Sequence, residues 1–428
     1  MVMTGKAPAT GRSSQGQTYR ATLAMVTTLF FFWGFVTALN DILVPHLKNI
    51  FDLNYTQAML IQFAFFAAYF IFSIPASRVV DAIGYKKTMV AGLVVMGAGA
   101  LLFIPAASAP SYPMFLGALM VLAAGITALQ VAANAYVAVL GQPETASSRL
   151  NLAQAFNSFG TVVAPYLGGL FILNANALAQ SALTKLSPEA LHAYRVHEAS
   201  SVKMPYTLIG AALIGFAVII GMFKLPPIPE AQKTGEKGGG PSIWKYTHLI
   251  LGCVGIFVYV GAEVSIGSFL INYLSQPEIG NFSELVAARY VSYYWFGAMV
   301  GRFIGSGLLQ KVKAGTLLGL FAAVAALLVC TTMLSTGLVA TWAIIAVGLF
   351  NSIMFPTIFT LGIAKLGPLT GDGSGLLIMA IVGGAILPVA QGAIADRIGI
   401  HHAFILPVFC YLYIAYYGFR GSRPVVPA

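Results

Sequence analysis

Two carboxylates in this 428-residue chain stand where carboxylates are costly. Of its thirteen acidic residues, eleven fall between apolar runs or at their ends. The other two lie inside runs of about 20 residues: Asp41 in FFFWGFVTALNDILVPHL and Glu263 in YVGAEVSIGSFLINYL. A charged side chain at the centre of a bilayer costs at least about 2.5 kcal/mol, so such acids face a bundle interior or a water-filled cavity. The sequence offers no lysine or arginine at comparable depth, which leaves protonation as the way to hold them neutral in a closed cavity. That is the chemistry of an ion-coupling site, and Asp41 and Glu263 are its candidates. The plainer readings are an interfacial capping acid for Asp41 and a protonated hydrogen-bond donor between helices for Glu263.

A second group is neutral. In RLNLAQAFNSFGT, Asn151, Gln154 and Asn157 recur at three-residue spacing on one helical stripe, and Gln130 and Asn134 sit one turn apart in ALQVAANAYVAVLG. Asn40 and Asn351 join them. Amides both donate and accept, as hydroxyls do, so this set suits a hydroxyl-rich ligand. Amides also pair across membrane helices for about 0.6 kcal/mol each, which is the structural alternative. Trp33, Tyr259, Tyr294 and Trp295 could lay a ring against the apolar face of such a ligand, or simply fill the core.

Other chemistry finds little support. None of the glycine-rich stretches continues as GK[ST], so nothing here drives transport by ATP. The six histidines lack cysteine or glutamate partners at metal spacing, and His401–His402 is a weak metal signal. Cys253, Cys330 and Cys410 are far apart inside apolar runs and read as packing residues. No cofactor is expected. A net charge of +10 comes without a basic patch interleaved with aromatics, so no nucleic-acid partner is expected either.

The elements that must position these groups follow from hydropathy. The chain is 58% hydrophobic and 8% charged, which excludes a soluble globular protein and indicates an all-α polytopic membrane protein whose partner is the bilayer. Twelve spans are expected, near 21–45, 55–77, 88–108, 112–140, 150–174, 204–224, 247–274, 287–309, 314–336, 339–364, 374–395 and 402–419. The segment PPIPEAQKTGEKGGGPSIWK divides them six and six. The expected organisation is a tail over 1–20, a first bundle over 21–225, a linker over 226–246, a second bundle over 247–419 and a tail over 420–428. With the N-terminus inside, 17 of the 23 lysines and arginines fall on the cytoplasmic side, Arg302, Lys311 and Lys313 among them, so both termini are expected there. A short outer helix is expected from Ser187, with Glu189 in its first turn. The halves are weakly similar: ALQVAANAYVAVLG laid on FNSIMFPTIFTLGIAKLG sets Gln130 opposite Asn351.

The run SRVVDAIGYKK carries Asp81, Gly84 and Lys86 at the spacing of the G-x-x-x-D-R-x-G-R-R loop of the major facilitator superfamily, with Lys87 adding charge. The resemblance implies a cytoplasmic gating loop there; Ser77 and Ala82 depart from the pattern. GAIADRIG, at residues 392–399, matches more closely in letters but falls on the outer side, where that gating role is not expected. The runs LNDILVPHL, FFAAYFIFSIPA, ALQVAANAYVAVLG, SRLNLAQAFNSFGTVVAP, YVGAEVSIGSFLINYL and FPTIFTLGIAKLG resemble the fucose permease family, and most of all its glucose/galactose branch.

That resemblance implies twelve helices in two six-helix bundles, a central monosaccharide site and ion-coupled uptake by alternating access. It also implies a functional monomer in the bacterial inner membrane, coupled to protons, with sodium as the alternative. Glucose or galactose is the expected sugar, with fucose, mannose or N-acetylglucosamine, or a non-transporting sensor, as rivals. In the fucose branch the Asp41 carboxylate is paired with a fourth-helix glutamate, whose place is taken here by Gln130, while amides at the Gln154 and Asn157 positions contact sugar. The glucose/galactose branch carries the acid found here as Glu263. Asn40, Gln130, Asn134, Asn151, Gln154, Asn157, Tyr259, Trp295 and Asn351 are the expected sugar-site residues, and Asp81, Gly84, Lys86 and Lys87 the gating loop.

Overall fold

The computed structural model describes residues 11–51, 53, 55–171, 186–226 and 242–424, and these are helical almost throughout. In the first bundle, α1 spans Gly11–Phe51, α2 Tyr55–Ser108, α3 Tyr112–Val139, α4 Ala146–Phe171, α5 Pro188–Ser200 and α6 Lys203–Met222. In the second, α7 spans Thr247–Leu274, α8 Glu284–Leu308, α9 Ala314–Leu334, α10 Gly337–Asn351 and α11 Met354–Gly362. It is completed by α12 at Thr370–Met379, α13 at Gly383–Ile398, α14 at Ile400–Ala403 and α15 at Ile405–Tyr416. The helix α1 starts ten residues before the expected span, taking in Gly11–Arg20, which the sequence reads as tail. The outer helix begins as expected, with the Ser187 hydroxyl accepting from Ala190 N at 3.2 Å. Residues 227–241 of the expected linker lie outside the described residues.

Three departures from straight helices have local causes. The second and third spans run together as α2 except at Gly84, whose φ of 81° and ψ of 166° only glycine adopts without strain. The tenth span breaks into α10 and α11 at Ser352–Ile353. Pro356 lacks an N–H and its ring crowds the carbonyl four residues back, so the Ser352 carbonyl is released from the helical ladder. The eleventh span passes through a tighter turn at Ala380–Val382 into Gly383 and Gly384.

The bundles meet at the end where α6 finishes and α7 begins, called here the linker end. The Ser148 hydroxyl donates to Ser306 O at 2.7 Å and the Ser306 hydroxyl returns the bond to Ser148 O at 3.0 Å, joining α4 to α8. Ser147 and Thr360 hydroxyls lie 2.6 Å apart, and Ser374 donates to Val131 O at 2.7 Å. Between α2 and α12, a Cβ placed on Gly375 would lie 2.8 Å from Ser77 Cβ. The glycine missing at Ser77 is therefore supplied by the partner helix, which keeps the two backbones close.

Candidate functional site

Two pairs in this structure mirror each other. In the first bundle, Gln130 on α3 donates through Nε2 to the hydroxyl of Tyr69 on α2 at 2.6 Å. In the second, Asn351 on α10 donates through Nδ2 to the hydroxyl of Tyr294 on α8 at 2.7 Å. These are the positions that the internal repeat sets opposite each other. All four side chains are buried, and in each pair the amide oxygen, Gln130 Oε1 or Asn351 Oδ1, has no partner among the described residues. A buried acceptor without a donor costs about 1–3 kcal/mol, so each oxygen is able to take a further donor. Asn134 Nδ2 and Asn151 Oδ1 are likewise unpartnered among the described residues, which gives the set both donors and acceptors.

The remaining amides hold the frame as well as facing inward. Gln154 Nε2 donates to Asn134 Oδ1 at 3.3 Å, tying α4 to α3. Asn157 Nδ2 donates to Phe30 O at 3.0 Å, where Gly34 lets α1 pass so close to α4 that a Cβ would overlap the Asn157 carbonyl. Asn151 Nδ2 reaches Thr357 across the bundles at 3.3 Å and Ser147 O at 2.9 Å.

Among the side chains described, Glu263 and Arg302 of the second bundle are charged groups that interact at this depth. Tyr259 donates to Glu263 Oε1 at 2.7 Å from one turn earlier on α7. Its ring is buried, so in this conformation it orients the carboxylate rather than offering a face to a ligand. Trp295 is exposed and lies along α7 at Gly267, one turn beyond Glu263. The expected absence of a cation at this depth is corrected by Arg302 on α8, which interacts electrostatically with Glu263. Arg302 donates through Nε to the Ser352 carbonyl released by Pro356, at 3.2 Å, and through a terminal nitrogen to Gln154 O at 3.3 Å and to Ser158 Oγ. It is not a flanking loop charge but a bridge between bundles. Its sequence signal was position: it lies seven residues inside the end of a span, about 10 Å along a helix.

The backbone of α1 runs helically through Asn40 and Asp41, but their side chains lie outside the described residues. In the run SRVVDAIGYKK, Lys86 Nζ donates to Gly221 O at 2.8 Å in the last turn of α6, a favourable place for a cation, while Lys87 is exposed. Asp81 lies against Gly371 in the first turn of α12, with Oδ1 2.7 Å from where a Cβ would stand. Beyond the sealed linker end is a cavity of about 720 Å³ between the bundles, lined by Asp81, Tyr85, Gly141, Thr360, Lys365 and Pro424 among others.

Two helical bundles closing one end over buried amides, with Glu263 and Arg302 interacting electrostatically at the same depth, define a membrane carrier rather than an enzyme. The chain belongs to the Major Facilitator Superfamily, whose sequence profile matches residues 25–381. It is 53% identical over 411 residues to the glucose/galactose transporter of Brucella abortus biovar 1 (strain 9-941), covering 96% of each chain. It is 36% identical over 409 residues to the L-fucose-proton symporter of Escherichia coli (strain K12), covering 94% of this chain and 93% of that one. The crystal structure of the superfamily transporter FucP in the outward conformation superposes with a TM-score of 0.87 at 36% identity, covering 94% of this chain and 98% of that one.

Proposed function

We propose that this protein carries a neutral hexose, glucose or galactose, into the cell together with a proton, by alternating access. The observation that carries the reading is the mirrored pair Gln130–Tyr69 and Asn351–Tyr294, one from each bundle, each leaving an amide oxygen free for a hydroxyl. A ring bound between them touches both bundles, so its binding biases how the bundles sit. A ligand shifts such an equilibrium only by its differential affinity for the two states. In this reading Asn40, Asn134, Asn151, Gln154, Asn157 and Trp295 complete the sugar site, Tyr259 orients Glu263, and Asp41 and Glu263 carry the coupling proton. The protein works as a monomer in the inner membrane with both termini cytoplasmic, and the linker end sealed here is the cytoplasmic end. The resemblance to a proton symporter favours protons over sodium.

The test is uptake by purified protein in vesicles. A pH gradient, and not a sodium gradient, is expected to drive glucose or galactose accumulation. Asp41→Asn and Glu263→Gln are each expected to bring accumulation down to about equilibrium while sugar exchange between loaded vesicles persists, because the sugar contacts stay in place. Accumulation driven by sodium alone, or full accumulation in both variants, overturns the coupling assignment.

A further inference from the structure

The linker-end latch has an unused counterpart at the other end of the same helix pair. Residues 77–84 read Ser-x-x-x-Asp-x-x-Gly, and residues 392–399 read Gly-x-x-x-Asp-x-x-Gly. The closing glycines take the same backbone conformation, φ 81° and ψ 166° at Gly84 and φ 84° and ψ 154° at Gly399. One motif closes the first arm of α2 at the linker end. The other closes α13 at the opposite end, which makes Asp396 and Asp81 equivalent by position in their turns.

The register between these helices shows what Asp396 would meet. Going along α12 and α13 while going back along α2, Gly371 lies at Asp81, Gly375 at Ser77 and Gly384 at Phe66. Continued to Asp396, the same antiparallel register arrives at the start of α2, at Tyr55 and Thr56. Asp81 already stands in this relation to α12, over Gly371 in its first turn. The first backbone N–H groups of a helix have no partner within the helix, and a carboxylate there is favoured by the helix dipole.

In the present structure the two helices part toward that end. At Gly375 the neighbours of a Cβ are Ser77 Cβ and the Ser73 backbone carbonyl; at Gly384 they are the far ring atoms of Phe66; at Gly392 the neighbour is Phe269 of the same bundle. Asp396 and Arg397 are exposed.

We propose that Asp396 is a second latch, which seats on the first turn of α2 when the end opposite the linker closes, and so holds the conformation reciprocal to the one Asp81 holds. The proposal rests on the alternating-access reading, since it needs a state in which that end closes. Asp81 and Asp396 are then alternately engaged by one antiparallel helix pair.

The test uses spin labels at Ala109 and Thr336, exposed positions at that end of the first and second bundles, and reads their distance distribution with and without saturating sugar. The wild-type protein is expected to show a short-distance population. Asp396→Asn is expected to reduce that population about fivefold, Asp81→Asn to raise it about fivefold, and Asp396→Glu to restore it, these being the shifts that a helix-terminal charge of ordinary strength produces. Arg397→Gln is expected to leave it unchanged. An Asp396→Asn distribution equal to the wild type, or shifted in the same sense as Asp81→Asn, overturns the latch. A wild-type protein with no short-distance population under any sugar or pH condition overturns the alternating-access reading on which it rests.

Discussion

The two amide–tyrosine pairs are alike in geometry and different in surroundings. Among the described residues, the partners of the Tyr69 hydroxyl are neutral, Gln130 and Trp33. The Tyr294 hydroxyl of Asn351–Tyr294 interacts electrostatically with Glu263, and Ser352, next to Asn351, accepts from Arg302. Where the bundles agree, the fold offers a ligand two equivalent contacts. Where they differ, among the side chains described, the second bundle has an acid, Glu263, that interacts electrostatically with its pair. In the proposed function this gives binding to what the repeat preserves, and a proton site besides Asp41 to what breaks it. Pro356 then serves that site, because the carbonyl that this proline frees is the one that fixes Arg302.

The largest effect that separates the two regions is expected at Arg302. Replacing it with glutamine leaves Ser352 O, Gln154 O and Ser158 Oγ without their charged donor and leaves Glu263 beside a neutral side chain. A buried hydrogen bond to a charged group is worth about 1.5–3 kcal/mol, so the rate of proton-driven uptake is expected to fall roughly 30-fold. Lysine is not expected to rescue it, since a single ammonium cannot reproduce donation in two directions from a planar guanidinium. If Arg302→Gln instead lowers only sugar affinity and leaves the pH dependence of uptake unchanged, charge in the second bundle is not tied to coupling.

A smaller and symmetrical effect is expected at the amides. Gln130→Ala and Asn351→Ala each remove one contact to a sugar hydroxyl and are each expected to raise KM about five- to tenfold, the size of one hydrogen bond of about 1–1.4 kcal/mol. The comparison is sharpened by the proton-to-sugar ratio, read from charge movement during uptake. It should stay unchanged in Gln130→Ala and decline in Asn351→Ala, whose loss also frees the Tyr294 hydroxyl beside Glu263. Equal effects on that ratio would show that the repeat governs coupling as well as binding.

Much of this arrangement was legible in the sequence, and the reasons for the gaps are physical. Periodicity in RLNLAQAFNSFGT placed the amide stripe because polar side chains in a membrane helix have few places to go. The internal repeat put Gln130 opposite Asn351 without showing that each holds a tyrosine. Tyr69 lies in FFAAYFIFSIPA, where an aromatic among aromatics carries no signal of its own. Arg302 is hidden in the sequence because a cation seven residues from the end of a span looks like flank when loops are counted by charge. What sets its depth is the carbonyl released at the break between α10 and α11, a tertiary contact between helices 50 residues apart in sequence. Topology alone gives the GAIADRIG run no gating role, and it is the antiparallel register with α2 that points it to the start of that helix.

The smallest effect tests the tyrosines, and it is the most direct probe of whether the two pairs are equivalent. Phenylalanine at either position removes a hydroxyl and little else, leaving an amide N–H of Gln130 or Asn351 buried without its acceptor. The amide is then no longer held in place for the ligand, which weakens its contact with a sugar hydroxyl by part of one hydrogen bond, about 0.6 kcal/mol. Tyr69→Phe is therefore expected to raise KM only about threefold, with the pH dependence of uptake unchanged. Tyr294→Phe is expected to match it in KM, but it also removes a hydroxyl with which Glu263 interacts. The pH midpoint of its uptake should therefore move, whereas that of Tyr69→Phe should not. Two variants with the same KM and the same pH profile would mean that the charge beside Asn351 is electrically isolated from the sugar site, and that coupling must run through α1 instead.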